Sequence, residues 1–146
     1  MKTQPPSPPT TSCRTRYDKD EVCVPPFNAV PNVGCVYLKE ALTTWDDART
    51  CCQAIGGDLY SLGTLSDYTA LQNYLGNLTQ NEVWVGVKSR KWLNGNDVTA
   101  SEWSPGVPND AIDCCARMVK RVGYPHLLDD ITCANTYFVL CQLPDP

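Results

Sequence analysis

A chain of 146 residues is long enough for one domain with one real core, and a hydrophobic share of 42% excludes a chain too polar to fold. A formal net charge of -4 weighs against nucleic acid as a partner. No apolar run reaches the length a membrane helix needs, so no membrane span is expected.

Residues 1–12 are polar and rich in proline, with no apolar stretch of the kind a signal peptide carries. They read as an extended tail before a domain over 13–146, and, if the protein is exported, as part of its mature form. The segment Cys13 to Cys35 contains Pro25, Pro26 and Pro31, which predicts irregular chain or short strands. Val36-Tyr37-Leu38 predicts a short strand.

Residues 44–56 predict a helix. Thr43 or Thr44 can cap it, and Asp46 and Asp47 sit in the first turn, where the helix dipole favours acids. Trp45, Ala48, Cys52 and Ile55 recur on one face, and Gly56-Gly57 ends the run. A second helix is predicted from about 66 to 75, with Ser66 as cap and Tyr68, Leu71 and Leu75 as its buried stripe. The pattern then changes to strands. Val83-Trp84-Val85-Gly86-Val87 is β-branched and aromatic. Asn94-Gly95, Pro105-Gly106 and Pro108-Asn109 mark turns in a long connection. Strand candidates follow at 116–122, 127–131 and 137–140. Helices first and short strands later predict an α+β fold, and no internal repeat is visible.

The nine cysteines are Cys13, Cys23, Cys35, Cys51, Cys52, Cys114, Cys115, Cys133 and Cys141. With no Cys-x-x-Cys pair and one histidine, His126, the pattern does not suit zinc. Disulfides in an oxidising, extracellular compartment are the better reading, and the odd count leaves one thiol free or linking two chains. The basic clusters Lys88/Arg90/Lys91 and Arg117/Lys120/Arg121 read as solvated faces. Asn77-Leu78-Thr79 is an acceptor motif for N-glycosylation. Trp84 and Trp103 are expected in the core, and Trp92, beside Asn94-Gly95, is the more exposed candidate for stacking on a sugar. No acid, base and nucleophile set can be assembled around His126, so an enzyme is not expected.

Several motifs share an order. Trp45-x-x-Ala48-x-x-x-Cys52-x-x-x-Gly56-Gly57-x-Leu59, Val83-Trp84-Val85-Gly86 and Trp103-x-x-Gly106-x-Pro108-Asn109 resemble successive signatures of the C-type lectin-like domain family. Cys115, Cys133 and Cys141 fall at its later cysteine positions. The resemblance covers about Cys23 to Leu143. It implies the family's fold, two helices with small antiparallel sheets and a long loop region, stapled by disulfides. It pairs Cys52 with Cys141, Cys115 with Cys133, and Cys23 with Cys35, the extra pair of the family's long form. Cys51 and Cys114, each just before a family cysteine, suggest an additional bridge, which leaves Cys13 as the interchain candidate for a disulfide-linked dimer. Either Cys114 or Cys115 could be the family cysteine. Cys115 is preferred, because it puts Met118 rather than Arg117 at an apolar position.

Sugar-binding members of the family hold calcium in the long loop, where oxygens from a Glu-Pro-Asn or Gln-Pro-Asp turn, a following acid and a Trp-Asn-Asp strand are shared with sugar hydroxyls. The corresponding residues here are Val107, Asn109, Asp113, Asp129 and Asp130. Of these, Asn109, Asp113, Asp129 and Asp130 carry oxygens for Ca²⁺, while Val107 carries none and Leu128 replaces the tryptophan. Asp110 could add to an accessory site. The same residues also read as a turn beside an acidic surface. The function the resemblance implies is a secreted lectin that binds glycans on cell or microbial surfaces with the help of calcium, as in agglutination or innate recognition. The alternatives are a calcium-independent module that grips a protein receptor or ligand, and a dimer with a structural role.

Overall fold

The computed structural model describes residues 23–63, 67–78, 82–109 and 114–143. The 1–12 tail, Cys13, Ser66, Thr79, Asp110 and Asp113 lie outside them.

Helix α1 spans Trp45–Ala54. Thr44 caps it by accepting the Asp47 backbone N–H at 3.4 Å, and Asp46 and Asp47 occupy the first turn. Trp45, Ala48 and Cys52 are buried as the spacing predicts. Ile55 is not; it is the C-cap residue and stays 37% exposed, with Gly56 taking the left-handed turn at φ 95°. Helix α2 spans Tyr68–Gly76 and buries Leu71 and Leu75. Its cap is Asp67 rather than the expected Ser66, since the Asp67 carboxylate accepts the N–H groups of Thr69 at 2.9 Å and Ala70 at 3.3 Å.

The strands are β1 (Asn28–Val30), β2 (Gly34–Thr43), β3 (Asp58–Leu59), β4 (Glu82–Lys88), β5 (Lys91–Trp92), β6 (Cys115–Val119), β7 (Leu127–Ile131) and β8 (Tyr137–Gln142). They form one sheet in the order β1-β2-β8-β4-β6-β7, with β3 added to β8 and β5 to β4. The last strand lies antiparallel to β2 and parallel to β4, so it closes the domain between its early and middle segments. β6 stops at Val119, short of the expected 122, because the chain turns there and leaves Val122 99% exposed.

The sheet carries apolar packing on both faces. Val83, Val85, Met118, Leu128 and Leu140 pack with α2 residues Leu71 and Leu75. Trp84, Cys115, Val139 and Cys141 pack with Trp45, Ala48 and Cys52 of α1. Buried indoles find acceptors: Trp45 Nε1 donates to Val85 O at 2.9 Å, and Trp84 Nε1 to Thr43 O at 2.7 Å. Trp92 is also a core residue, 2% exposed, donating to Glu102 Oε1 at 3.2 Å, so it offers no face for stacking on a sugar. The glycine of the Val83-Trp84-Val85-Gly86 motif has a steric cause: a Cβ on Gly86 would sit 2.8 Å from the Tyr60 carbonyl oxygen.

Three disulfides join Cys23 to Cys35, Cys52 to Cys141 and Cys115 to Cys133. Cys115 is therefore the bridging member of its pair, and Met118 is fully buried. The suggested Cys51–Cys114 bridge is not formed; both residues are half-buried and lie outside these three links. Neighbours on a helix diverge by about 100° and neighbours on a strand by about 180°, so two adjacent pairs do not bridge in parallel merely because one member of each bridges.

Candidate functional site at the long loop

The long loop leaves β5, makes a short 3-10 turn at Ala100–Glu102 and runs along the outer edge of β7. Trp103 bridges to Leu128, and Ser104 N donates to Leu128 O at 2.7 Å. Glu102, only 9% exposed, anchors the entry: its Oε1 accepts from Thr99 N at 3.1 Å as well as from Trp92. Its carbonyl accepts the Tyr68 hydroxyl at 2.7 Å. Burial, with the Glu102 charge second, pushes that phenol well above its usual range.

Beyond Ser104 the chain turns. Val107 N donates to Ser104 O at 3.2 Å, Gly106 adopts φ 83°, and the Val107–Pro108 peptide bond is cis. Asp130 then holds Asn109, accepting its backbone N–H at 3.2 Å through Oδ1 and at 3.0 Å through Oδ2. Asp130 is 5% exposed, whereas Asn109 is exposed, so the turn is fixed by its backbone and keeps its amide side chain in water.

Asp129 has a different fate. Successive residues of a strand face opposite sides of the sheet, and Asp129 lies directly across from Arg117 on β6. One oxygen, Oδ2, accepts from Arg117 Nη2 and from Arg121 Nη2, each at 3.0 Å. Arg117 also pairs with Glu82, donates to the Tyr137 hydroxyl at 2.9 Å and stands 4.9 Å from that ring's centre. Arg121 Nη1 donates to Ser104 Oγ at 3.1 Å. A carboxylate 6% exposed is costly unless paired and hydrogen-bonded, and here two guanidiniums supply the pairing.

Asn109 and Asp130 are thus brought together, with Val107 two residues away, while Asp129 is turned to the arginines. Calcium takes roughly 6–8 oxygens. Among the described residues no group of three or more histidines, cysteines or acids is arranged to hold a metal. Of the four expected calcium ligands, Asn109 and Asp130 are placed together and Asp129 is turned away, while Asp113 lies outside the described residues. The arginines, read from sequence as solvated, were the part missed. Their signal was the hairpin itself, whose register sets Arg117 opposite Asp129. His126 is 2% exposed, and its carbonyl accepts from Gln72 Nε2 at 2.9 Å. Asn77 is exposed at the end of α2.

A family model for the lectin C-type domain matches residues 41–143. The chain belongs to the C-type lectin domain family. Among curated relatives, the type-2 ice-structuring protein of Brachyopsis segaliensis is 31% identical over 114 residues, 73% of this chain and 64% of the relative. The secretory phospholipase A2 receptor of Oryctolagus cuniculus is 26% identical over 119 residues, 75% of this chain and 8% of the receptor. The chain therefore spans less than two thirds of either relative's length. Among solved structures, a calcium-independent type II antifreeze protein superposes with a TM-score of 0.66 at 27% identity, covering 85% of this chain and 96% of that one. The C-type lectin domain is typically a binding fold, and members described as calcium-independent share this one's architecture. No helix among the described residues is long and apolar enough to cross a membrane.

Proposed function

We propose that this C-type lectin domain is a secreted, non-catalytic recognition module that binds glycans on cell or microbial surfaces through the long-loop face, in a mode that does not require calcium. The observation that carries the reading is the Val107-Pro108-Asn109 turn, fixed from beneath by Asp130 with the Asn109 side chain left in solvent. A fixed turn presenting an amide offers both a donor and an acceptor to a sugar hydroxyl at little ordering cost.

Two features support independence from calcium. Val107 contributes no side-chain oxygen, and the Asp129 carboxylate is held by Arg117 and Arg121. Were calcium to bind, Asn109, Asp113 and Asp130 would be the residues to hold it.

A glycan array probed with the purified chain, in calcium and again in excess chelator, tests the reading. The expected result is sugar binding of equal strength in both conditions, lost in the Asn109→Ala variant. Binding confined to calcium would restore the calcium-assisted form of the same function. Absence of binding in both conditions would overturn the glycan reading in favour of a protein ligand. Thermal hysteresis measured on the same sample separates either from the ice-structuring role for which one relative is named.

A further inference from the structure

A cavity of about 160 Å³ opens on the Asp129 side of the β6–β7 hairpin, under the Val107-Pro108-Asn109 turn at Val107. Pro105 and Val107 of the long loop form one wall, and Leu127 and Val119, opposite each other in register, form the floor. Tyr124, 47% exposed, stands at the rim, and Arg121 lines the remaining side. An apolar cavity of about 150 Å³ accepts a benzene ring, so the space receives one apolar edge of a six-membered ring, with its polar substituents left at the open rim beside Tyr124 and Arg121.

The polar side of the cavity has a sign. Arg117 and Arg121 share a single oxygen of Asp129, and Glu82 pairs with Arg117 alone. Among the described residues, Arg121 therefore shares its one carboxylate with Arg117. Its side chain is 45% exposed, and it is held in place by Ser104 Oγ and Asp129 through one N–H from each terminal nitrogen. A guanidinium carries about five N–H donors in a planar fork, so donors remain for a second planar anion, and Lys120 adjoins it in sequence. An arginine already oriented by two partners loses little entropy in binding a third.

We infer that this cavity binds a six-membered sugar ring bearing a carboxylate, with the ring on Tyr124, Val107 and Leu127 and the carboxylate on Arg121. The inference rests on the glycan reading and names its ligand class. Glucuronate and glucose form a matched pair of probes, differing only in carboxylate against hydroxymethyl, and methyl glucuronide distinguishes a sugar within a glycan from the free acid.

Each probe is titrated into the full chain in chelator, with NMR signals of the Tyr124 ring and Arg121 side chain as readout. Both glucuronate forms should shift these signals, with glucose weaker by about tenfold or more, the scale of one charge-assisted hydrogen bond. Arg121→Gln should weaken glucuronate by a similar factor. Tyr124→Ala, at an exposed position that leaves the arginine clasp intact, should weaken it severalfold without altering the spectrum of the core. If only the free acid binds, the site serves a free uronate; if the glycoside binds as well, it serves a glycan. Equal affinity for glucose and glucuronate, or no shift at Tyr124 and Arg121, overturns the inference. Array binding to neutral glycans that survives Arg121→Gln would overturn it while leaving the glycan reading standing.

Discussion

The half of the domain built on α1 and β8 is held by carbon and sulfur, whereas the half built on the long loop and the β6–β7 hairpin adds to its own disulfide and apolar core a clasp of buried charge. In the first, Trp45, Ala48, Cys52, Val139 and Cys141 are buried together and a disulfide crosses between helix and strand. In the second, Asp130 fastens the turn at Asn109 and Asp129 fastens two arginines, one of which reaches the loop at Ser104. Apolar burial is non-directional and tolerates changes of surface chemistry. A charge clasp is directional and depends on every partner being present. The scaffold can therefore remain constant while the loop face is rebuilt by a few polar substitutions, as suits a family of binding modules.

The largest expected effect breaks the scaffold half. Replacing both Cys52 and Cys141 by alanine opens a link that spans 89 residues and should lower stability by about 2–5 kcal/mol, measured from denaturant midpoints. That loss should be insensitive to salt. The next breaks the loop half. Arg117→Ala leaves Asp129 buried with one exposed partner and should cost about 3 kcal/mol. Arg121→Ala should cost about 1 kcal/mol or less, since its side chain is 45% exposed against 13% for Arg117 and its pair is screened by water. The Arg121 term should shrink in high salt. Equal losses for the two arginines, or none at Arg117, would remove the view that Asp129 is the fastening of this half.

This division also separates what the sequence could reveal from what it could not. Helix α1 was legible because Trp45, Ala48 and Cys52 repeat at helical spacing behind a threonine cap, and Gly56 marks the end. The Gly86 strand was legible because five β-branched, aromatic or glycine residues run together. The bridges followed from family resemblance rather than from spacing. Of the residues singled out at the long loop, Asn109 and Asp130 are brought together, while Asp129 does not join them. Whether two neighbouring aspartates converge depends on which side of the strand each occupies and on what stands across from it. The partner of Asp129 is 12 residues back along the chain. Trp92 shows the same limit, since a neighbouring Asn-Gly turn suggested exposure while Glu102, distant in local pattern, supplied a buried acceptor.

The smallest expected effect probes the seam between the halves. Tyr68 begins α2, yet its hydroxyl donates to the Glu102 carbonyl at the entry to the long loop. Burial raises its pKa above the ordinary value of 10.0, and the Glu102 charge adds to that. The folded state therefore holds this proton at pH values where the unfolded chain has released it. The stability it contributes is complete below about pH 10 and is lost as pH rises toward the folded value, at about 1.4 kcal/mol per pH unit. Tyr68→Phe should cost about 1 kcal/mol near neutral pH, through the lost hydrogen bond, and should make the alkaline fall of the unfolding midpoint shallower. Tyr74, whose pKa burial also raises, should keep part of that slope. An alkaline limb equally steep in Tyr68→Phe would mean that this phenol does not couple the loop to the helix.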